Sequence, residues 1–195
     1  MKYPGGIKLN TTKNITYDNR GMNLEEDINI TNQYYIENNI AFIYKKPTPI
    51  QVTKVDYSKN NAIIKEAYFK EPSTTDYNGL YKGMYIDFEA KETESKTSFP
   101  LSNIHKHQIK HIENIVNNNG ISFLIVRFNK LNKTFLLLGE DLINFININS
   151  RKSIPLDYFN KNAYLIEEKY IPRVDYLKVI DLMYGGIIND KNSAK

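Results

Sequence analysis

Asp76, Glu89 and Lys91 are the residues of this chain whose types and spacing suit them to act together. Asp76 lies in Ser73-Thr-Thr-Asp-Tyr-Asn-Gly79, and the other two lie in Tyr85-Ile-Asp-Phe-Glu-Ala-Lys-Glu-Thr93. The second segment alternates: on a strand, Ile86, Phe88 and Ala90 fall on one face and Asp87, Glu89 and Lys91 on the other. A carboxylate and an ammonium therefore stand side by side, with a second carboxylate supplied from upstream. Two carboxylates can hold a hard divalent cation, most naturally Mg²⁺, with Mn²⁺ as the alternative. A lysine beside them can orient an attacking water and stabilise developing negative charge. These are the parts needed for metal-assisted hydrolysis of a phosphodiester.

The spacing is loose, and a solvated strand face with an i,i+2 Glu–Lys pair is the plain alternative. Two details favour a site. Asp76 sits in a turn-forming stretch rather than a charge run, and Glu89 has apolar neighbours that imply burial, where an unpaired charge is costly. Asp87 shares the face of Glu89 and competes for the cation, or else pairs with Lys91 or lies at a sheet edge. Thr74 and Thr75 offer a hydroxyl or carbonyl to a cation, or serve only the turn.

The run His105-Lys-His-Gln-Ile-Lys-His111 places His107 and His111 four apart, a spacing that can bind zinc on a helix. The metalloprotease motif needs Glu after the first His, and Gln108 stands there, so a basic solvated helix face is the better reading. Lys65, Tyr68, Phe69, Lys70, Tyr77, Tyr81 and Lys82 interleave basic and aromatic side chains, as a surface for phosphates and stacked bases would. An ordinary amphipathic hairpin is the alternative. Arg20 stands at a helix start, where it could meet a phosphate or simply solvent. Glycine-rich dinucleotide or Walker loops and the serine-hydrolase elbow are absent from the sequence.

The elements that must position these residues follow from periodicity. Residues 1–19 lack a period and are expected to form a flexible arm. Residues 22–38 have helical spacing with Glu25, Glu26 and Asp27 in the first turn. Ala41 to Tyr44 is expected as a buried strand, and Lys45-Lys-Pro-Thr-Pro49 as a stiff break. Residues 50–57 and 62–70 have strand composition around a turn at 58–61. Residues 71–83 read as a projecting loop or hairpin between two strands, followed by the strand of Glu89. A helix over 103–117, apolar strands over 121–128 and 134–138, a short helix over 140–148 and a helix over 172–183 stopped by Gly185 complete the chain. The tail from 186 is expected to be disordered. The whole reads as one α/β domain, a mixed sheet flanked by helices, with a protrusion near 68–82.

The totals agree with that reading. At 195 residues the chain can bury one good core. Zero cysteines exclude disulfides and thiolate-held zinc or iron–sulfur clusters, and fit a reducing compartment. No apolar run reaches the ~18 residues of a membrane span, and no secretory signal follows Met1, so a cytoplasmic protein is expected. The net charge of +4 matters only where it clusters.

Several separated motifs carry a resemblance. Asn19-Arg-Gly-Met-Asn-Leu-Glu-Glu-Asp27, Lys45-Lys-Pro-Thr-Pro49, Lys65-Glu-Ala-Tyr-Phe-Lys70, Ser73-Thr-Thr-Asp-Tyr-Asn-Gly79, Ile86-Asp-Phe-Glu-Ala-Lys-Glu-Thr93 and Arg173-Val-Asp-Tyr176 stand in one order over residues 3–184. Together they resemble the RecU family of Holliday junction resolvases from Gram-positive bacteria. The resemblance implies a restriction-endonuclease-like nuclease core over residues 20–185. A β stalk at about 62–85 would project into the junction, and the protein would be a homodimer. It implies a Mg²⁺ site of Thr74 (through its carbonyl), Asp76, Glu89 and Gln108, with Lys91 stabilising the transition state. Asp76, Glu89 and Lys91 are then the catalytic residues. A RecA-type recombinase and a branch-migration helicase follow as further partners, beside the four-way DNA junction.

A dimer also suits the task physically. A four-way junction has approximate two-fold symmetry, and paired nicks need two equivalent sites, which an isologous dimer supplies. Two rivals remain at this point: a restriction-type enzyme cutting linear duplex, and a DNA-binding recombination mediator that anneals strands or modulates the recombinase, with cleavage secondary.

Overall fold

The most apolar run of the chain forms its central strand. A computed structural model describes residues 23–57, 61–70 and 74–193. Within it Ile121–Phe128 (β7) is buried at every position, as expected of a strand covered on both faces. β7 pairs in parallel with Met84–Thr93 (β5) and antiparallel with Lys133–Leu138 (β8). Tyr77–Tyr81 (β4) and Phe42–Lys45 (β1) extend the sheet beyond β5, and Tyr164–Ile166 (β10) ends the other side. The six-stranded order is β1-β4-β5-β7-β8-β10. A parallel pair needs a crossover, and here it carries Ser98–Pro100 (β6), a short 3₁₀ turn and the helix Lys106–Asn117 (α2).

Helices cover both faces of this mixed sheet. Leu24–Glu37 (α1) and Tyr176–Ser193 (α5) pack Leu24, Ile28, Tyr35, Tyr176 and Ile180 onto Phe88, Phe123 and Ile125. α2, Gly139–Ile148 (α3) and Leu156–Asn162 (α4) pack Ile112, Leu142, Phe145 and Phe159 onto Leu124, Val126 and Leu137. Ser153–Pro155 (β9) pairs with β6 beside the second core. The α/β class with a mixed central sheet is therefore as expected, with five α-helices among the described residues. Buried Asp27 fastens α1 down, through Arg127 at 2.8 Å and Arg173 at 3.1 Å.

Several expectations are corrected. The stretch 62–85 is not one stalk. Its second part is β4 and the start of β5, joined by Lys82 and Gly83, both with positive φ, in the two-residue turn that suits strand twist. Tyr77 and Tyr81 alternate inward along β4, which is why these residues lie in the central sheet rather than projecting from it. The projecting element is instead the separate hairpin Ile50–Asp56 (β2) and Ile63–Phe69 (β3). Every residue of β3 is exposed, and the N–H of Lys70 closes the base by donating to the Pro49 carbonyl at 2.9 Å. β1 is an edge strand with Ile43 alone buried, not a buried one.

The last helix begins at Tyr176 instead of Pro172. The Val174 backbone is already engaged, bridging to Glu168 and donating to Thr31 Oγ1 at 3.0 Å. That helix runs through Gly185 to Ser193, so Gly185 does not stop it; a glycine weakens a helix by about 1 kcal/mol but does not by itself end it. The flexible-arm expectation for 1–19 falls outside the described residues, as does Arg20.

β4 depends on one glycine. A Cβ on Gly79 would stand 2.1 Å from the Phe42 carbonyl oxygen and 2.5 Å from Ile43 Cα, both backbone atoms of β1. Gly79→Ala is expected to push β1 off the sheet. The destabilisation should reach ~3 kcal/mol, the upper range for overpacking, and thermal melting reads it directly.

Candidate active site

Because residues of β5 alternate, Asp87, Glu89 and Lys91 face away from α1 and toward α2. Asp87 and Glu89 are fully buried (0 % exposed). Asp76 immediately precedes β4, next to the registered pair Tyr77 and Phe88, and this places it beside Glu89. Its backbone N–H donates to Glu89 Oε2 at 3.1 Å. Lys91 Nζ donates to Glu89 Oε1 and lies 4.0 Å from Asp76 Oδ2. The two carboxylates and the ammonium that the sequence pairs are thus one cluster, built on adjacent strands.

Burial, then the nearby Asp76, pushes the Glu89 carboxyl up to about 8, against the opposing pull of Lys91. A carboxylate raised this way gains most from a cation. Among the described residues no three His, Cys, Asp or Glu side chains converge as a metal cage. The donors brought together are the two carboxylates of Asp76 and Glu89, and paired carboxylates suit a hard cation that keeps several waters. Gln108 is buried at the first turn of α2, where its Oε1 accepts the His105 N–H at 2.9 Å. An amide oxygen has a second lone pair, so this cap leaves it one acceptor site. Thr74 Oγ1 donates to the Thr75 carbonyl at 3.3 Å, and its own carbonyl could serve a cation.

Comparison with known proteins bears on what this cluster belongs to. A family model described as "Recombination protein U" (RecU) matches residues 19–182. "Holliday junction resolvase RecU" of Bacillus cereus (strain B4264) is 50% identical over 196 residues, covering 94% of this chain and 98% of that protein. The protein of the same name from Bacillus anthracis (strain A0248) is 48% identical over the same shares, 94% and 98%. The chain belongs to the RecU family.

Within this RecU chain the other candidates separate. Tyr77 and Tyr81 are 0 % and 3 % exposed and cannot stack on bases. Tyr77 stacks on Phe88 at 4.8 Å between ring centroids, and Tyr81 donates to Asp181 at 2.8 Å, so both are core residues whose polar ends are satisfied inside the protein. Lys82 is tied to the same Asp181 at 2.7 Å. Tyr68 and Phe69 are 66 % and 84 % exposed on the hairpin, beside exposed Lys65 and Lys70. Lys65 lies 3.4 Å from Asp56 across it. The basic and aromatic surface is therefore the hairpin, without the β4 tyrosines.

Asp87 neither lies at an edge nor pairs with Lys91: Lys46 Nζ donates to its Oδ2 at 2.7 Å and Thr75 to its Oδ1. Sequence reasoning passed over Lys46 because it reads as part of a proline-flanked break. The signal was the single carboxylate on the inward face of β5 lacking a cation of its own. His111 joins Asp87 at 3.2 Å rather than His107 in a zinc pair. Glu25, at the α1 start, is taken by Lys45.

Proposed function

We propose that this chain is a Mg²⁺-dependent, structure-specific endonuclease that resolves Holliday junctions by paired symmetric nicks during homologous recombination and DNA repair. The observation that carries this is the convergence of Asp76, buried Glu89 and Lys91 on β4 and β5, in a family whose named members are junction resolvases. Asp76 and Glu89 would hold Mg²⁺ with the Thr74 carbonyl and Gln108. Mn²⁺ would fit the same oxygen set. When bound, the cation supplies charge neutralisation at the phosphate and a more acidic attacking water. Lys91, held against Glu89, orients the water for in-line attack and stabilises charge developing on the phosphoryl oxygens. The products carry 3′-hydroxyl and 5′-phosphate ends.

The core is restriction-endonuclease-like in this reading, and the enzyme works in the cytoplasm as a homodimer. The exposed β2–β3 hairpin enters the junction, with Tyr68 and Phe69 against bases and Lys65 and Lys70 against phosphates. Specificity comes from junction shape more than from base edges. Partners in the cell are a RecA-type recombinase and a branch-migration helicase. A comparison of cleavage rates on a four-way junction and on linear duplex of the same sequence tests the substrate class. Strong preference for the junction is expected, and equal rates would point to a duplex nuclease.

A proton and Mg²⁺ compete for Glu89. The Mg²⁺ concentration for half-maximal cleavage is expected to fall about tenfold per pH unit up to pH ~8 and to level off above it. In the metal-free protein the sign reverses. The folded pKa of about 8 lies above the ordinary 4.5, so Glu89 contributes its full stability below pH 4.5 and loses it as pH rises through 8. Melting curves in EDTA, compared with Glu89→Gln, read this loss as a gap that opens toward alkaline pH.

A further inference from the structure

A second polar cluster lies on the same face of β5, one residue pair from Glu89. Its centre is the carboxylate of fully buried Asp87. Oδ2 accepts from Lys46 Nζ at 2.7 Å, from the Tyr85 hydroxyl at 3.0 Å and from His111 Nε2 at 3.2 Å. Oδ1 accepts from the Thr75 hydroxyl, and Lys46 Nζ also reaches Thr75 Oγ1 at 3.0 Å. A carboxylate has about four acceptor sites, and Asp87 meets four donors. Oδ2 is fully taken up by three of them, while Oδ1 keeps one acceptor site beside Thr75. Glu89, by contrast, meets only Lys91 and the Asp76 N–H among the described residues. Most of the acceptor capacity of Asp87 is therefore spent on its protein neighbours, whereas Glu89 has more to offer a cation.

What the cluster holds is the segment that carries Asp76. Thr75 is gripped by its hydroxyl between Asp87 and Lys46. The Lys46 N–H donates to the Asp76 carbonyl at 2.7 Å, while the Asp76 N–H donates to Glu89 at 3.1 Å. The peptide units around Asp76 are thus held by Lys46, just past the end of the edge strand β1, on one side and by β5 on the other. Ligand carboxylates must be held within roughly 0.5 Å of the productive geometry by such supporting contacts.

We propose that Lys46, acting through Asp87 and Thr75, is a positioning residue that sets the Asp76 carboxylate at the separation from Glu89 that a divalent cation requires. This rests on the reading of Asp76 and Glu89 as cation ligands. Lys46 is then an internal counter-charge of the site rather than a contact for DNA phosphate.

The test uses the full-length protein carrying Thr75→Val, Thr75→Ser or Lys46→Met. Three quantities are measured: the Mg²⁺ dependence of junction cleavage, the rise in melting temperature on adding Ca²⁺ without DNA, and junction affinity in EDTA. Thr75→Val keeps the shape but removes the hydroxyl. It is expected to raise the half-saturating Mg²⁺ concentration about tenfold, as loss of a supporting contact does. The Ca²⁺-induced melting shift should shrink, and junction affinity should stay within about twofold. Thr75→Ser restores the hydroxyl and should recover most of the Mg²⁺ response, which a merely structural role would not show. Lys46→Met should move the same way and further; if it fails to fold, the Thr75 pair decides.

A folded Thr75→Val with wild-type Mg²⁺ dependence and Ca²⁺ shift overturns the proposal. So does a Lys46→Met protein that loses junction affinity in EDTA as strongly as it loses cleavage. A wild-type protein that needs no divalent ion and shows no Ca²⁺ shift overturns the cation reading itself, an outcome separable from the other two.

Discussion

Glu89→Gln is expected to bind a four-way junction within about twofold of wild type and to cut it on the order of 10³ times more slowly. At 1.36 kcal/mol per tenfold, that loss is about 4 kcal/mol of transition-state stabilisation, in the range a divalent cation supplies at a phosphate. Glutamine keeps the size and one acceptor oxygen but removes the charge that holds the cation and the partner that fixes Lys91. Stability should move the other way. The carboxylate is fully buried and raised to about 8, so a neutral amide removes a desolvated charge, and the metal-free variant should melt higher than wild type above pH 8. Higher stability together with lost activity is the signature of a residue retained for chemistry. Asp76→Ala should match the loss of cutting. It should show less gain in stability, because this side chain is part exposed. A Glu89→Gln protein cutting within tenfold of wild type would remove Glu89 from the chemistry.

The second large effect belongs to the hairpin. Pro49 and Lys70 are hydrogen-bonded at 2.9 Å, so an Asn-Gly turn spans the gap left by deleting residues 50–69. The deleted strands form a sheet of their own, and none of their side chains lies in either core cluster. The shortened protein should therefore keep its fold and melt within a few degrees of wild type. Its affinity for the junction should fall to that for linear duplex, because charge contacts along phosphates do not distinguish the two. Single changes should divide the effect. Tyr68→Ala and Phe69→Ala each remove a stacking surface worth about 1–3 kcal/mol per base, or roughly 5- to 150-fold in affinity. Competition binding between labelled junction and unlabelled duplex measures both. A hairpinless protein that still prefers the junction would place recognition elsewhere on the molecule.

The candidate cluster was legible because β5 follows a simple rule. Alternation put Asp87, Glu89 and Lys91 on one face, and the apolar neighbours announced burial. β7 was legible for the opposite reason, an unbroken apolar run. What failed was the stretch before β5. Its tyrosines were read as a nucleic-acid surface, but composition cannot tell a tyrosine stacked on Phe88 from one stacked on a base. The Lys82-Gly83 turn was the available clue that β4 folds back as a sheet strand.

Short strands such as β6, β9 and β10, at three residues each, carry too little pattern to read. Lys46 could not be found locally, because its partners lie 29 and 41 residues away. The motif residues Asp27, Arg173 and Tyr176 serve packing between α1 and the segment leading into α5. Arg173 pairs with Asp27 at 3.1 Å, and Tyr176 is buried with its hydroxyl on Asn32. Their role in the resemblance is thus to mark the fold.

Strand-mapped cleavage of a four-way junction with a short homologous core tests the central claim most directly. Each strand is labelled in turn, and wild type and Asp76→Ala are compared in Mg²⁺ and in EDTA. Paired nicks at symmetric positions in two strands of like polarity are predicted, dependent on Mg²⁺ and absent from the variant. Tight junction binding with no cutting under any metal would contradict it, and would make the protein a DNA-binding recombination mediator whose Asp76, Glu89 and Lys91 only hold two strands together.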